Sequence, residues 1–211
     1  MSKRDYYFSI LAGLIMGLLA LPVFKAVEPA LFVRFAYATV PAFLIGTPLA
    51  LSIAHSLGRK VPVLWQAGKF VVTGVLNMLV DWGALSSLIY LFKRCFGVDS
   101  RGLLLAGVTV YSFSKAVSFI VANINSYYWN KYWTFGVYAE EKTKGEFVQF
   151  FAVSVLGFGI NVLIATSVFM EAHPPRGFTM DQWGIIGAAA GSAAGFLWNF
   201  LGYKLFVFRS R

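Results

Sequence analysis

Charged and polar side chains divide the chain into long apolar stretches. Six of these stretches reach roughly twenty residues, the length of α-helix that crosses the hydrocarbon core of a bilayer. The stretches run approximately over Tyr6 to Phe24, Phe35 to Leu57, Gly68 to Phe92, Gly102 to Tyr127, Phe147 to Met170 and Trp183 to Tyr203. The pattern predicts an all-α membrane protein with six transmembrane helices.

The composition excludes most classes of soluble protein. Of the 211 residues, 58% are hydrophobic, 18% are aromatic and only 13% are charged, and the mean hydropathy is +0.69. Such a chain has too few polar side chains to cover a water-exposed surface. The net charge of +9 is better explained by basic loops against anionic lipid than by nucleic acid, so we expect membrane lipids and no nucleic acid as partners.

Basic residues predict the orientation, because cytoplasmic loops retain lysine and arginine during insertion. Placing both termini in the cytoplasm puts eleven basic residues on that side and six on the other. The cytoplasmic residues are Lys3, Arg4, Arg59, Lys60, Lys69, Lys131, Lys142, Lys144, Lys204, Arg209 and Arg211, and the outer ones are Lys25, Arg34, Lys93, Arg94, Arg101 and Arg176. The first stretch is either a signal peptide or a retained helix, and the lack of an A-x-A site before Lys25 favours a helix. We expect a multi-pass protein of the cytoplasmic (inner) membrane.

The last four helices contain an internal repeat of a helical hairpin. Asn130 to Phe135 reads NKYWTF and Tyr203 to Phe208 reads YKLFVF, so both helix ends share K-x-aromatic-x-F. Upstream, N-M-L-V from Asn77 parallels N-V-L-I from Asn161. We therefore predict two leading helices in residues 1–64 and a duplicated hairpin in residues 65–211, with repeats at about 65–135 and 146–208. Each repeat has an even number of helices, so both copies enter the membrane in the same sense.

These motifs resemble those of the GtrA-like family of small membrane proteins. The resemblance rests on G-x-x-N-x-x-x-D from Gly74 to Asp81, on NKYWTF, and on N-F-L-G-Y-K-L-F-V-F from Asn199 to Phe208. It implies translocation of a polyprenyl-phosphate-linked monosaccharide to the outer face, where a membrane glycosyltransferase uses it. The family often has arginine at the positions of Lys131 and Lys204, and lysine contacts phosphate as a point charge rather than as a bidentate fork.

Two opposite charges lie at similar depth in neighbouring predicted helices. Asp81 and Lys115 each lie about three turns from the cytoplasmic end, with Asn77 and Ser118 on the same helix faces. An unpaired charge at a helix centre costs about 2.5 to 3.5 kcal/mol, so both should face protein or water. Two alternatives follow: a cavity in which Lys115 meets the lipid phosphate and Asp81 orients it or binds sugar hydroxyls, or a structural ion pair. The second repeat has Ala165 and Ala188 at the matching positions. Whatever role the charge pair has is therefore performed by the first repeat alone.

The cytoplasmic helix ends form a second candidate site. Lys131 and Lys204, with nearby Lys69 and Arg209, lie beside aromatic residues such as Trp133. They either receive a lipid phosphate from the inner leaflet or form an ordinary aromatic and positive-inside boundary. The amides of Asn125, Asn161 and Asn199 complete the predicted substrate-binding set, although membrane amides often only link helices.

Small residues line the last helix, at Gly184, Gly187, Gly191 and Gly195. They indicate close helix packing or a homodimer, with a sliding surface as the alternative. We find no catalytic motif, no nucleotide-binding loop and no metal cluster, since Cys95, His55 and His173 stand apart. We therefore expect no enzyme activity and no cofactor.

Three functions fit this sequence. The first is a flippase for a polyprenyl-phosphate sugar, used in assembly of cell-surface polysaccharide. The second is a small proton-coupled exporter in which Asp81 alternates between proton and cation, although Lys115 opposes cation binding. The third is a non-transporting membrane partner of a glycosyltransferase.

Overall fold

The computed structural model describes residues 1–27, 29–104, 107–137, 145–171 and 180–208. Six α-helices contain most of these residues: α1 (Lys3–Val27), α2 (Pro29–Gly58), α3 (Pro62–Phe96), α4 (Val110–Trp129), α5 (Glu146–Glu171) and α6 (Met180–Gly202). A π-helical turn follows each of two helices: π1 (Asn130–Thr134) after α4 and π2 (Tyr203–Val207) after α6. The all-helical prediction is confirmed, with no β-strand among the described residues.

Four described helical stretches are long and apolar enough to cross a membrane. By length and composition these are Lys3–Lys25, Phe32–Gly58, Pro62–Phe96 and Glu146–Met170. Helix α4 is not among them, because serine, asparagine and Lys115 interrupt its apolar sequence. The total of six membrane spans stays a prediction.

Helix α4 begins later than the sequence predicts. We expected a helix from about Gly102, but the helix begins at Val110, and Leu103 pairs with Thr109 in an isolated β-bridge. Gly97, with φ 67°, ends α3, and Gly107 has φ 75°. The hydroxyl of Thr109 accepts the backbone N–H of Ser112 at 3.1 Å and so caps the start of α4.

Some predicted features fall outside the described residues. Among the basic residues used to assign orientation, these are Lys142, Lys144, Arg176, Arg209 and Arg211, and His173 lies outside as well.

The chain divides into two compact units, Met1–Gly136 and Val137–Arg211. In the first unit, α1 packs against both α2 and α3, and α3 packs against α4. Its buried core consists of Ala12, Met16 and Ala20 from α1 with Leu76 and Leu79 from α3. Helix α1 thus shares a hydrophobic core with α3, and Phe43 of α2 packs against that core. The predicted domain boundary near residue 64 stays a prediction.

The second unit is the α5–α6 hairpin. A Cβ atom at Gly187 would lie 2.9 Å from the carbonyl oxygen of Ala165, and one at Gly195 would lie 2.9 Å from that of Gly157. At Gly191 it would clash with the Asn161 carbonyl. The glycines expected to mediate packing therefore bring α6 against α5, and this face is not open for a homodimer.

Candidate functional site

The predicted charge pair joins α3 and α4. The Lys115 ammonium donates to Asp81 Oδ2, and the Ser118 hydroxyl donates to Asp81 Oδ1 at 2.7 Å. Both donors lie on α4, three residues apart, so each oxygen of the carboxylate accepts one hydrogen bond from the same helix. This confirms that the two antiparallel helices bring Asp81 and Lys115 together.

The two members of the pair differ in their exposure. The side chain of Asp81 is 18% exposed and that of Lys115 is 42% exposed, whereas Ser118 is fully buried. Asp81 has a donor on each oxygen, while an ammonium carries three N–H groups. Among the described residues the Lys115 ammonium donates one hydrogen bond, to Asp81. Its remaining N–H groups can donate to a further anionic group.

An amide pair extends this contact toward the cytoplasmic end predicted for the hairpin. Asn125 Nδ2 donates to Asn77 Oδ1 at 3.4 Å, and Asn77 lies one helical turn before Asp81. Asn77, Asp81, Lys115, Ser118 and Asn125 therefore form a continuous polar seam between α3 and α4. We call these five residues the polar seam.

Over its described residues, 145–171 and 180–208, the second hairpin has no equivalent of the polar seam. Ala165 stands at the position of Asp81, and its carbonyl meets Gly187 instead of a charged side chain. Asn161 lies against Gly191 and Gly195. Asn199 lies against Gly157, and its Oδ1 is buried with no hydrogen bond among the described residues. These two predicted substrate ligands thus lie within the packed α5–α6 interface.

The repeated K-x-aromatic-x-F motifs form the same unusual backbone. In π1 the N–H of Phe135 donates to the Asn130 carbonyl at 2.9 Å, and in π2 the N–H of Phe208 donates to the Tyr203 carbonyl at 2.7 Å. Each bond spans five residues, which defines a π turn, and such turns are frequent at functional sites. The matching geometry supports the predicted repeat at the level of the backbone.

The side chains of the two π turns differ in burial. Lys131 is 2% exposed, and its Nζ lies 3.2 Å from the Tyr127 hydroxyl. Trp133 is fully buried, and its ring stacks on Phe8 of α1 at 5.9 Å. Lys204 is half-buried above the Phe200 ring. We call π1 and π2 the exits of the first and second repeat. The exit of the first repeat is therefore covered in this structure, with Lys131 and Trp133 both buried.

Sequence reasoning did not identify Asp5, which contributes to this cover. Lys69 Nζ donates to the Trp133 carbonyl at 2.8 Å and lies 3.7 Å from Asp5 Oδ1. The pattern Ser2-x-x-Asp5 marks a helix start, and the Ser2 hydroxyl does bond to Asp5 Oδ2 at 2.6 Å. That pattern locates the start of α1 but says nothing about its partner 64 residues away.

Comparison with known proteins identifies the family of the chain. The family described as GtrA/DPMS, transmembrane domain, matches residues 69–208, from α3 to the end of the second repeat. The chain is also 26% identical over 153 residues to a protein named "Uncharacterized membrane protein YngA" from Bacillus subtilis (strain 168), covering 72% of this chain and 84% of that protein. No solved structure matches the chain significantly. With two thirds of its length in the match, including both hairpins and both π turns, the chain belongs to the GtrA/DPMS transmembrane domain family.

Proposed function

We propose that the protein is a flippase that moves a polyprenyl-phosphate-linked monosaccharide from the cytoplasmic to the outer leaflet for cell-surface glycosylation. Membership of the GtrA/DPMS family supports a role in translocation of lipid-linked sugars. The observation that carries the specific proposal is the Asp81–Lys115–Ser118 cluster, because it places a partly open cation inside an apolar hairpin.

The polar seam suits the head group of such a lipid. Lys115 contacts the phosphate and so exchanges one anionic partner for another, which keeps its charge paired within the membrane. Asp81 remains bonded to Ser118 and accepts hydrogen bonds from sugar hydroxyls. The amides of Asn77 and Asn125 donate to and accept from hydroxyls one turn further along.

Each exit acts by itself as a cytoplasmic loading site in this proposal. Lys204 with its aromatic neighbours meets the lipid phosphate at headgroup depth, and Lys131 and Trp133 do so once their cover opens. Asn161 and Asn199 bind sugar hydroxyls when the α5–α6 interface loosens. All five side chains have chemistry suited to a phosphate or a sugar.

The membrane arrangement completes the proposal. Six helices span the inner membrane with both termini in the cytoplasm, and α4 crosses beside α3 because the polar seam pairs Lys115, Ser118 and Asn125 with side chains of α3. A membrane glycosyltransferase consumes the sugar on the outer side. A homodimer would use a face other than the glycine face of α6.

Transport by the purified protein tests this function. Wild-type protein in liposomes should move at least one sugar from a panel of polyprenyl-phosphate monosaccharides, measured by access of the sugar to an external enzyme. Lys115→Ala should lower the transport rate by about tenfold or more, as expected for loss of a charge-assisted hydrogen bond. Lys93→Ala is the matched control, because it removes an exposed lysine near the C-terminal end of α3, outside the polar seam. This variant should leave transport unchanged.

Each competing function predicts a different result. In a proton-coupled exporter, Asp81→Asn abolishes activity while Lys115→Ala stays active. In a non-transporting partner, the protein co-purifies with a glycosyltransferase and moves no sugar on the panel. Either result would overturn the flippase.

A further inference from the structure

The start of α1 brings an acid to a buried lysine of the first repeat. Asp5 and Lys69 are each only 7% exposed. Lys69 Nζ donates to the Trp133 carbonyl at 2.8 Å, and the indole ring of Trp65 lies 5.2 Å away. Lys69 is also the first residue of the family match, whereas Asp5 lies outside it. The acid is thus an additional group placed on a site that belongs to the family domain.

The contact between Asp5 and Lys69 is loose. Asp5 Oδ2 is bonded to Ser2, while Oδ1 stands 3.7 Å from Lys69 Nζ, beyond a normal hydrogen bond. Among the described residues, Asp5 Oδ1 accepts no hydrogen bond and Trp133 Nε1 donates none, although both atoms are buried. Both residues contact Lys69, Asp5 through its carboxylate and Trp133 through its backbone carbonyl. Each also has a buried side-chain atom without a hydrogen bond, which calls for an explanation.

Two neighbouring charges act on Lys69 in opposite directions. Arg4 lies close enough to Lys69 to oppose its charge, and Asp5 is the acid that favours it. A phosphate group carries more acceptor oxygens than a carboxylate and pairs well with clustered cations. It could accept from Lys69 and from Trp133 Nε1 while the carbonyl bond of Lys69 persists.

We propose that Lys69 and Trp133 form a phosphate-binding site for a polyprenyl phosphate lipid in the cytoplasmic leaflet, and that Asp5 occupies this site as an internal anion when lipid is absent. The choice of lipid rests on the proposed function. The arriving phosphate displaces Asp5, and the first turn of α1 detaches from Lys69. This event uncovers the Trp133 side of the first exit.

Lipid binding by the full chain in nanodiscs tests the site. The probe is a polyprenyl monophosphate, with phosphatidylglycerol and inorganic phosphate as parallel arms, and tryptophan fluorescence reports binding. Asp5→Asn should tighten binding about three- to tenfold by removing the competing charge, and Lys69→Met should abolish it. Asp99→Asn is the control with the same change of charge, in the loop after α3, and should not change the affinity.

Hydrogen exchange on the wild-type protein gives an independent measurement. Polyprenyl phosphate should increase exchange of the backbone amides from Asp5 to Phe8, because the first turn of α1 is released. A purely structural role predicts the opposite: Asp5→Asn lowers stability, affinity is unchanged or weaker, and the first turn stays protected. Equal effects of phosphatidylglycerol would also overturn the assignment to a polyprenyl lipid.

The outcomes separate this site from the flippase itself. Tighter binding by Asp5→Asn in a protein that moves no sugar would overturn the flippase and support the site. Unchanged binding by Asp5→Asn in a protein that does transport would overturn the site alone.

Discussion

At Asp81 the carboxylate takes both of its side-chain donors from α4, one on each oxygen. Lys115 and Ser118 lie three residues apart, so they share a face of α4 and reach the acid together. Loss of either charged partner leaves a charge uncompensated in an apolar setting. Each single substitution should therefore lower the free energy of unfolding by more than half of the loss caused by the double substitution.

A double-mutant cycle on Asp81 and Lys115 measures this coupling. We expect Asp81→Asn and Lys115→Met each to lower the free energy of unfolding in mixed micelles by about 1–3 kcal/mol. The double variant should lose less than the sum, with a coupling of about 0.5–3 kcal/mol. Lys60→Met, in the exposed turn before α3, serves as the control. Strictly additive losses would show that the contact contributes nothing to stability.

At the level of helices, α5 and α6 pack through backbone rather than through charge. Gly187, Gly191 and Gly195 recur every four residues and face the carbonyls of α5. The α3–α4 pair is joined by the polar seam as well as by the ring contact between Phe92 and Phe113. The two copies of the repeated hairpin thus have different kinds of helix contact at matching positions.

Glycine substitutions distinguish the packed face of the second hairpin from its open face. Gly195→Ala places a Cβ 2.9 Å from the Gly157 carbonyl, so we expect a loss of about 1–3 kcal/mol in the free energy of unfolding. Gly159→Ala, also in this hairpin, meets no atom within 4 Å and should be neutral or slightly stabilising. Thermal unfolding in detergent compares the two variants. Equal stability would mean that α5 and α6 do not approach closely at Gly195.

Some of these contacts could be predicted from sequence and others could not. Asp81 and Lys115 are isolated charges at equal depth in adjacent helices, so the cost of leaving them unpaired is enough to predict their contact. The approach of Asp5 to Lys69 depends on how α1 packs, and no repeat or periodicity specifies that. The late start of α4 depends on the Thr109 cap, which a hydrophobic stretch from Gly102 conceals.

At the scale of the whole molecule, the orientation is the central prediction. Cys95 is the single cysteine of the chain. It is exposed near the end of α3, which the distribution of basic residues assigns to the outer side. This residue therefore offers a native probe of topology.

Labelling of Cys95 tests the orientation directly. A membrane-impermeant maleimide should label wild-type protein in right-side-out vesicles without permeabilisation. In the control, Cys95→Ser combined with Arg59→Cys moves the thiol to the exposed α2–α3 turn and should require permeabilisation. The reverse pattern would place the termini outside and invalidate the cytoplasmic loading site.

The two π turns also have a consequence for the history of the chain. NKYWT and YKLFV share few residues, yet both build a turn closed by a bond across five residues. Asp81 and Lys115, in contrast, occur in one copy only. A shared wide turn is what duplication of one ancestral hairpin predicts, and a charge pair confined to the first repeat is what later divergence of the two copies predicts.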